Sequence, residues 1–422
     1  MGSFQSVAVE KLLADDRGIS VGVMYPGEDT PDGVPLIRVG DIIGNRISSN
    51  PGYRISKRVH DEYRRTALLG GECLITLVGR PGVTLVVPPE MRGWNAARAL
   101  AVVRLKEPED ARFFAYSMSA PAVQNTIENW CNTTVQATLN LKEIRALTVP
   151  WPERRDRQRI VEILGSLDEK IELNRRMNET LEAMAQAIFR DWFVDFGPTR
   201  RKLYGATDPI TIMGGLVQDT ERAQALTDLF PAKLGDDGLP EGWTFKPLDE
   251  SIVLQRGFDL PKSSRTDGLY PVIAASGPSG THSEFKVSAP GVCTGRSGVL
   301  GNVFYVQQNF WPLNTSLWVK AYPNATPIYA YFLLREIDLS ALNAGSAVPT
   351  LNRNHVHNRP TVTPPMAIVR AYTAIAELLM VKSDQAAKEC QILAATRDLL
   401  LPKLMSGEIR LSEADDLMEA AQ

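Results

Sequence analysis

Along residues 156–196, Ile160, Leu164, Leu167, Ile171, Asn174, Asn178, Leu181, Ala185, Ile188 and Trp192 recur in alternating steps of four and three residues. A heptad seam of this kind predicts one long amphipathic helix lying against another helix. Arg and Glu crowd the remaining faces, as a solvated exterior requires. At about 1.5 Å per residue the helix would run ~60 Å, wider than a small domain, and it reads as a strut. The stretch has no proline and only Gly165 before Gly197 and Pro198 close it. Asn174 and Asn178 sit on the seam, where a polar residue lowers stability but fixes register and partner. The competing reading is a long core helix of one globular domain, although core helices usually stop at about 20 residues.

A second helix-like run follows Pro365 and extends to about Met405, with a less regular seam of Tyr372, Ile375, Leu379, Ala386, Cys390, Leu393, Leu400 and Leu404. Pro402 is expected to kink or end it. Ahead of the first strut, the apolar runs Val34–Val39, Cys73–Val78, Val83–Val87 and Ala99–Leu105 are bounded by Gly, Pro and Asp and read as strands. Helical stretches follow near Ala111–Ser119 and Ala122–Asn129. Val149-Pro150-Trp151-Pro152 stops any regular element.

The plan then repeats. Gly33-Val34-Pro35-Leu36-Ile37 is answered by Gly268-Leu269-Tyr270-Pro271-Val272-Ile273. Gly79-Arg80-Pro81-Gly82-Val83 is answered by Gly295-Arg296-Ser297-Gly298-Val299. Phe113-Phe114-Ala115-Tyr116 is answered by Tyr329-Ala330-Tyr331-Phe332. Thr134-Val135-Gln136-Ala137-Thr138-Leu139-Asn140 is answered by Ser346-Ala347-Val348-Pro349-Thr350-Leu351-Asn352, and Val149–Pro152 by Val362–Pro365. Five weak matches in one order argue for an internal duplication. The expected division is an α+β domain over 1–152, a long helix over 153–197, a linker of marginal structure over 198–238, a second α+β domain over 239–365, a second long helix over 366–411 and a tail over 412–422. Antiparallel pairing of the two helices would make a pseudo-twofold molecule with its domains at opposite ends.

Composition narrows the chemistry. A hydrophobic share of 44% and a charged share of 23% are ordinary for a globular protein. No run approaches 18 uncharged apolar residues, and the N-terminus lacks the form of a signal peptide, so a cytoplasmic location with no membrane contact is expected. Cys73, Cys131, Cys293 and Cys390 have no zinc or CxxC spacing and read as buried thiols in a reducing compartment. There is no phosphate loop, GxGxxG, HExxH or GxSxG. Gly295-Arg296-Ser297-Gly298 falls one residue short of a serine elbow, and its counterpart carries Pro81. His355-x-His357 would put two rings on one face of a strand, without the carboxylates or thiols a metal site needs. No catalytic and no metal-binding residue is expected.

What remains are Arg-bearing polar loops. In the first domain they carry Arg38, Arg46, Arg54, Lys57, Arg58, Arg64, Arg65 and Arg80. In the second they carry Arg256, Lys262, Arg265, His282, Lys286 and Arg296. Arg can donate two bonds to guanine or phosphate. Each alone also reads as a solvated surface charge. Arg80 and Arg296 differ in sharing a Gly-Arg-x-Gly-Val loop at matching places, although a turn repeated for folding reasons would look the same. The net charge of −3 gives no direct support for a nucleic-acid binder, though local patches matter more than the sum.

The layout resembles the specificity subunit of type I restriction–modification systems. The residues that carry the resemblance are the duplicated plan, the helix from Ile160 to Phe196, the entry phrase Gly238-Leu239-Pro240-Glu241-Gly242-Trp243, and the exit phrase Leu400-Leu401-Pro402-Lys403-Leu404-Met405-Ser406-Gly407-Glu408-Ile409. The resemblance implies two target recognition domains, each reading one part of a bipartite, asymmetric double-stranded DNA site. It implies that the coiled-coil helices act as a ruler and dock two methyltransferase subunits, through which the restriction (motor-nuclease) subunits join. It further implies a non-catalytic chain, with S-adenosylmethionine, ATP and Mg²⁺ bound by the partners. The alternative function is a protein-interaction scaffold with no DNA role.

Overall fold

A computed structural model of the protein describes residues 4–44, 46–131, 138–345 and 347–409. The chain divides into two compact units, Met1–Asn174 with Lys388–Gln422, and Arg175–Ala387. Thr134–Ala137 and Ser346 of the repeat, and the tail over 412–422, lie outside the described residues.

The first unit opens with β1 (Ser6–Ala8), β2 (Ile19–Val21), β3 (Val34–Ile37), the short hairpin of β4 (Ile42–Ile43) and β5 (Arg46–Ile47), β6 (Arg54–Ile55) and α1 (Lys57–Glu62). Then come β7 (Cys73–Thr76), β8 (Thr84–Val86), β9 (Asn95–Ala96), β10 (Leu100–Val103), α2 (Ala111–Met118), α3 (Pro121–Cys131), α4 (Leu141–Ala146) and β11 (Thr148–Pro150). One sheet has the order β2-β10-β7-β8, a second β6-β3-β9, and β1 pairs with β11. Successive side chains of a strand face opposite ways, and here both faces are covered. Cys73, Ile75, Ala101 and Val103 pack with Phe113 and Phe114 of α2. Leu74, Leu100 and Val102 pack with Ile37, Val87 and Met91 on the other side.

Helix α5 (Arg154–Phe193) is unbroken over 40 residues. Its first half belongs to the first unit, where Ile160, Leu164, Leu167 and Ile171 are buried with Leu393, Leu400 and Leu404. These last three lie on α11 (Met366–Ser406). Asp168 meets Arg397 at 2.9 Å and Ile171 meets Cys390 at 3.4 Å, so the numbering runs in opposite senses and this stretch of the pair is antiparallel. Pro402 neither kinks the run out of helix nor ends it there; α11 continues one turn to Ser406. Burial of Leu400, Leu404 and Met405 in the first unit's core holds that turn.

The second unit repeats the plan. After α6 (Gly197–Leu203), α7 (Pro209–Ile212) and α8 (Thr220–Thr227) come β12 (Thr244–Pro247), β13 (Val253–Arg256), β14 (Tyr270–Ala274), β15 (Gly277–His282), β16 (Gly291–Gly295), β17 (Val303–Val306), β18 (Trp311–Pro312) and β19 (Ser316–Ala321). The unit's own part of the plan closes with α9 (Pro327–Glu336), α10 (Arg353–His357) and β20 (Pro360–Thr363). The sheets are β13-β19-β16-β17, β15-β14-β18 and β12-β20, the arrangement of the first unit without its β4-β5 hairpin. In both three-stranded sheets the central strand has one antiparallel and one parallel neighbour. The second half of α5 lies in this unit's core through Ala185, Ile188, Phe189 and Trp192, with Tyr329 and Tyr372. Asn178, Leu181 and Leu379 of the expected seams are half-buried.

Three expectations are corrected. Residues 198–238 are not marginal in structure. Arg201 donates twice to Asp191, at 2.9 and 2.7 Å, and Lys202 donates to the carbonyls of Thr227 and Phe230, while Ile212, Met213, Ala223 and Phe230 enter the second unit's core. Gly197-Pro198 does not simply close the strut. Phe196 turns left-handed at φ 54° and Pro198 sits in the first turn of α6, where a missing N–H costs nothing. His355-x-His357 lies on helix α10, not on a strand, because the Asn352 side chain caps that helix by accepting from Asn354 N–H.

Candidate nucleic-acid interface

The Gly-Arg-x-Gly loops take the same position in both units. Each joins the second and third strands in sequence of the larger sheet, β7 to β8 and β16 to β17. Gly79, Gly82 and Gly298 have φ of 77°, 90° and 94°, a region open to Gly. A Cβ on Gly295 would fall 1.9 Å from the Val299 carbonyl oxygen. The Thr-Leu-Asn stretch of each repeat straps each loop down. Leu139 N–H donates to Leu77 O at 2.9 Å, and Leu351 N–H to Arg296 O at 2.8 Å. The asparagine that follows, Asn140 or Asn352, starts α4 or α10. The loop backbone is thereby fixed before any ligand arrives.

The expected site residues separate by what they already touch. Arg80 is exposed and its side chain has no partner among the described residues; the same holds for Lys57 and Arg58 on α1, for Arg64, and for Lys262. Arg38 lies 3.6 Å from Asp41 and over the Tyr53 ring. Arg54 donates to Gly33 O at 3.1 Å, Arg65 to Ser20 at 3.2 Å, and Arg265 to Ser279 O. Arg46 pairs with Glu172 of α5 at 3.0 Å on the first unit's surface. His282 is corrected from a surface contact to a buried group. It is 6% exposed, edge-on to Trp311 at 5.2 Å, with Thr266 N–H 3.2 Å from its Nδ1. Lys286 lies over the Trp311 ring at 4.7 Å.

Arg256 and Arg296 come together. Both line an open cleft of ≈ 510 Å³ in the second unit with Thr350, Asn352, Arg353 and Asn354. Arg353 and Asn354 were not singled out from the sequence. The signal for them was present, since they directly follow the repeated Thr350-Leu351-Asn352. Among the described residues no three His, Cys, Asp or Glu side chains gather as metal ligands. No helix among them is long and apolar enough to cross a membrane.

Two similar units, each offering a strapped cationic loop and joined through long helices, form the architecture to compare with known proteins. Residues 37–183 match the family model for the type I restriction modification DNA specificity domain. Three specificity subunits of type I restriction enzymes are similar in sequence. That of MjaIX from Methanocaldococcus jannaschii is 22% identical over 304 residues, 65% of this chain and 62% of that one. That of HindI from Haemophilus influenzae is 23% identical over 333 residues, 64% and 71% of the two chains. That of EcoBI from Escherichia coli is 29% identical over 181 residues, 43% and 35%. The chain is similar in sequence to type I restriction–modification specificity subunits. The match spans less than two thirds of the length of the MjaIX subunit. A crystal structure of the type I specificity subunit from M. genitalium has the same fold, with a TM-score of 0.55 at 17% identity over 95% of this chain and 96% of that one. The family-model match covers Arg38, Arg46, Arg54, Lys57, Arg58 and Arg80 together with most of α5.

Proposed function

We propose that this protein is a specificity subunit that reads DNA for a type I restriction–modification complex. Each α+β unit acts as a target recognition domain for one part of a bipartite, asymmetric double-stranded site. Phosphate contacts set its orientation and side chains in the grooves read the bases. The helices α5 and α11 dock two methyltransferase subunits, and restriction subunits join through these. The chain itself breaks no bond; S-adenosylmethionine, ATP and Mg²⁺ are bound by the partners, in the cytoplasm. The domain boundaries of this reading are 1–152 and 239–365 for the readers and 153–197 and 366–411 for the helices.

The observation that carries the reading is the repetition of one strand order with a cationic Gly-Arg-x-Gly loop at the same place in each unit. Two copies of one reader bearing different side chains suit a site made of two different parts. The net charge of −3 fits an isolated chain that holds DNA weakly, with part of the phosphate contact supplied by the methyltransferases. The test is a gel shift of the assembled subunit–methyltransferase complex against competitor DNA. A shift that survives competition only on particular sequences supports the reading. A complex that shifts all sequences equally, or none, rejects it.

A further inference from the structure

The cleft of the second unit is built differently from the surface around it. Arg256 lies at the end of β13 and Arg296 in the Gly-Arg-x-Gly loop, while Arg353 opens α10. Arg256 is 3.6 Å from Asp259; the Asn314 amide donates to the same carboxylate, and Arg296 Nη1 lies 3.4 Å from the Asn314 carbonyl oxygen. A chain of contacts thus sets both guanidinium groups along one rim. The neutral groups of Thr350, Asn352 and Asn354 also line the cleft. The wall is stiff, because Asn343 Oδ1 accepts from both Gly345 N–H and Thr350 N–H at 2.9 Å and Ser297 N–H donates to Thr315 O at 3.0 Å.

We infer that this cleft is a guanine-reading site of the second recognition domain, with Arg256 and Arg296 as the specificity-determining side chains; the inference rests on the DNA-reading role proposed above. The chemistry favours a base edge over a phosphate. An exposed carboxylate, Asp259, stands beside Arg256 and offsets part of the positive charge that would draw a phosphodiester. A guanidinium with a carboxylate 3.6 Å from one nitrogen keeps its N–H groups for the O6 and N7 acceptors of guanine. The neutral amides add base-edge donors and acceptors without adding charge. A rigid wall suits direct readout, since groups already in place lose little freedom on binding.

The first unit lacks the construction. Gly22 and Gly257 are equivalent, each pressed against two carbonyl oxygens of the neighbouring strand segment, which aligns Arg256 with Val21. Asn140 and Asn352 align Arg353 with Leu141. Only the Arg296 position keeps its cation, as Arg80. The two half-sites are therefore read by different chemistry, and the guanine demand falls on one of them.

The experiment is a methylation assay of the complex assembled with its methyltransferase subunits, on duplexes in which each base pair of the site is replaced singly. The second half-site is the half whose reading Arg80→Ala leaves untouched. Arg256→Ala and Arg296→Ala are each expected to lose about tenfold or more of the discrimination at one G·C pair of that half, leaving the other positions and the salt dependence of binding as they were. Arg256→Lys keeps the charge but not the fork and is expected to relax the same position, which separates readout from a folding defect. Uniform weakening on all sequences with a shallower salt dependence would assign the cleft to phosphate and overturn the inference. Unchanged discrimination would overturn it as well, as would a second half-site without any G·C pair. A wild-type complex that methylates without sequence preference is a different result, and refutes the DNA-reading function itself.

Discussion

The Asn174 amide donates to Glu389 across the helix pair of the first unit at 2.9 Å, and the other Glu389 oxygen takes Lys170 at 2.8 Å. The polar residue expected to fix register on the seam thus has a specific partner on the facing helix. The next polar seam residue, Asn178, has a buried Oδ1 with no partner among the described residues. A buried acceptor left unmet costs roughly 1–3 kcal/mol. Asn178→Leu is expected to raise the thermal midpoint of unfolding, whereas Asn174→Leu, which removes a bond that is made, is expected to give no such rise. Calorimetry on the two variants checks this; equal effects would show that the two asparagines are not distinguished.

Arg157 forms two bonds to Asp110, at 3.1 and 2.8 Å, donates to Pro152 O at 2.8 Å, and stacks on Trp151. Both side chains are nearly buried. Removing one partner of such a pair strands the other charge and costs about 3–5 kcal/mol. Arg157→Ala is expected to destabilise the first unit by that order in urea unfolding, and Arg157→Lys to recover little of it, because Lys lacks the planar fork. By contrast the exposed pair Arg154–Glu109 should contribute under about 1 kcal/mol.

Leu254 N–H donates to His357 Nε2 at 2.9 Å, which requires an unprotonated nitrogen. Burial pushes the His357 pKa below its ordinary 6.5; Asp249 partly opposes this and Arg353 adds to it. The unfolded ring therefore takes its proton first as pH falls. The stabilising contribution is complete above about pH 6.5, declines below it and levels off beneath the lowered folded value. His357→Gln, an acceptor that does not titrate here, is expected to remove this part of the pH dependence. Unfolding midpoints between pH 7.5 and 5 compare the two chains, and identical slopes would refute the assignment.

A Cβ on Gly22 would lie 2.1 Å from Ala96 O, and one on Gly257 would lie 2.2 Å from Leu313 O. Gly22→Ala and Gly257→Ala are expected to destabilise their own unit strongly and alike, since both backbones must move. Limited proteolysis shows which unit opens; a neutral outcome at either position would break the equivalence of the two.

Much of this was legible in the chain. The heptad steps from Ile160 to Trp192 located α5, because a buried seam on a helix has a fixed period. The paired phrases around Gly33 and Gly268, and around Arg80 and Arg296, located the duplication, because turns demand particular residues. The equivalence of Gly22 and Gly257 was not legible, since the constraint is a carbonyl contributed by a distant strand. The helices within 198–238 escaped for a related reason: segments of four to eight residues have little period of their own and are held by Arg201, Lys202 and burial in the core. His282 looked like a loop contact because nothing local reveals that Trp311 covers it. The cleft around Arg256 needs three separate stretches to meet, and no single stretch announces that.

The central proposal is that the two units read two different parts of one DNA site. The most direct measurement is methylome sequencing of cells carrying the complex with the wild-type chain, with Arg80→Ala or with Arg296→Ala. The expected result is a bipartite motif for wild type, relaxed in one part by Arg80→Ala and in the other part by Arg296→Ala. An unbroken motif, or two variants that degrade the same part, would contradict it.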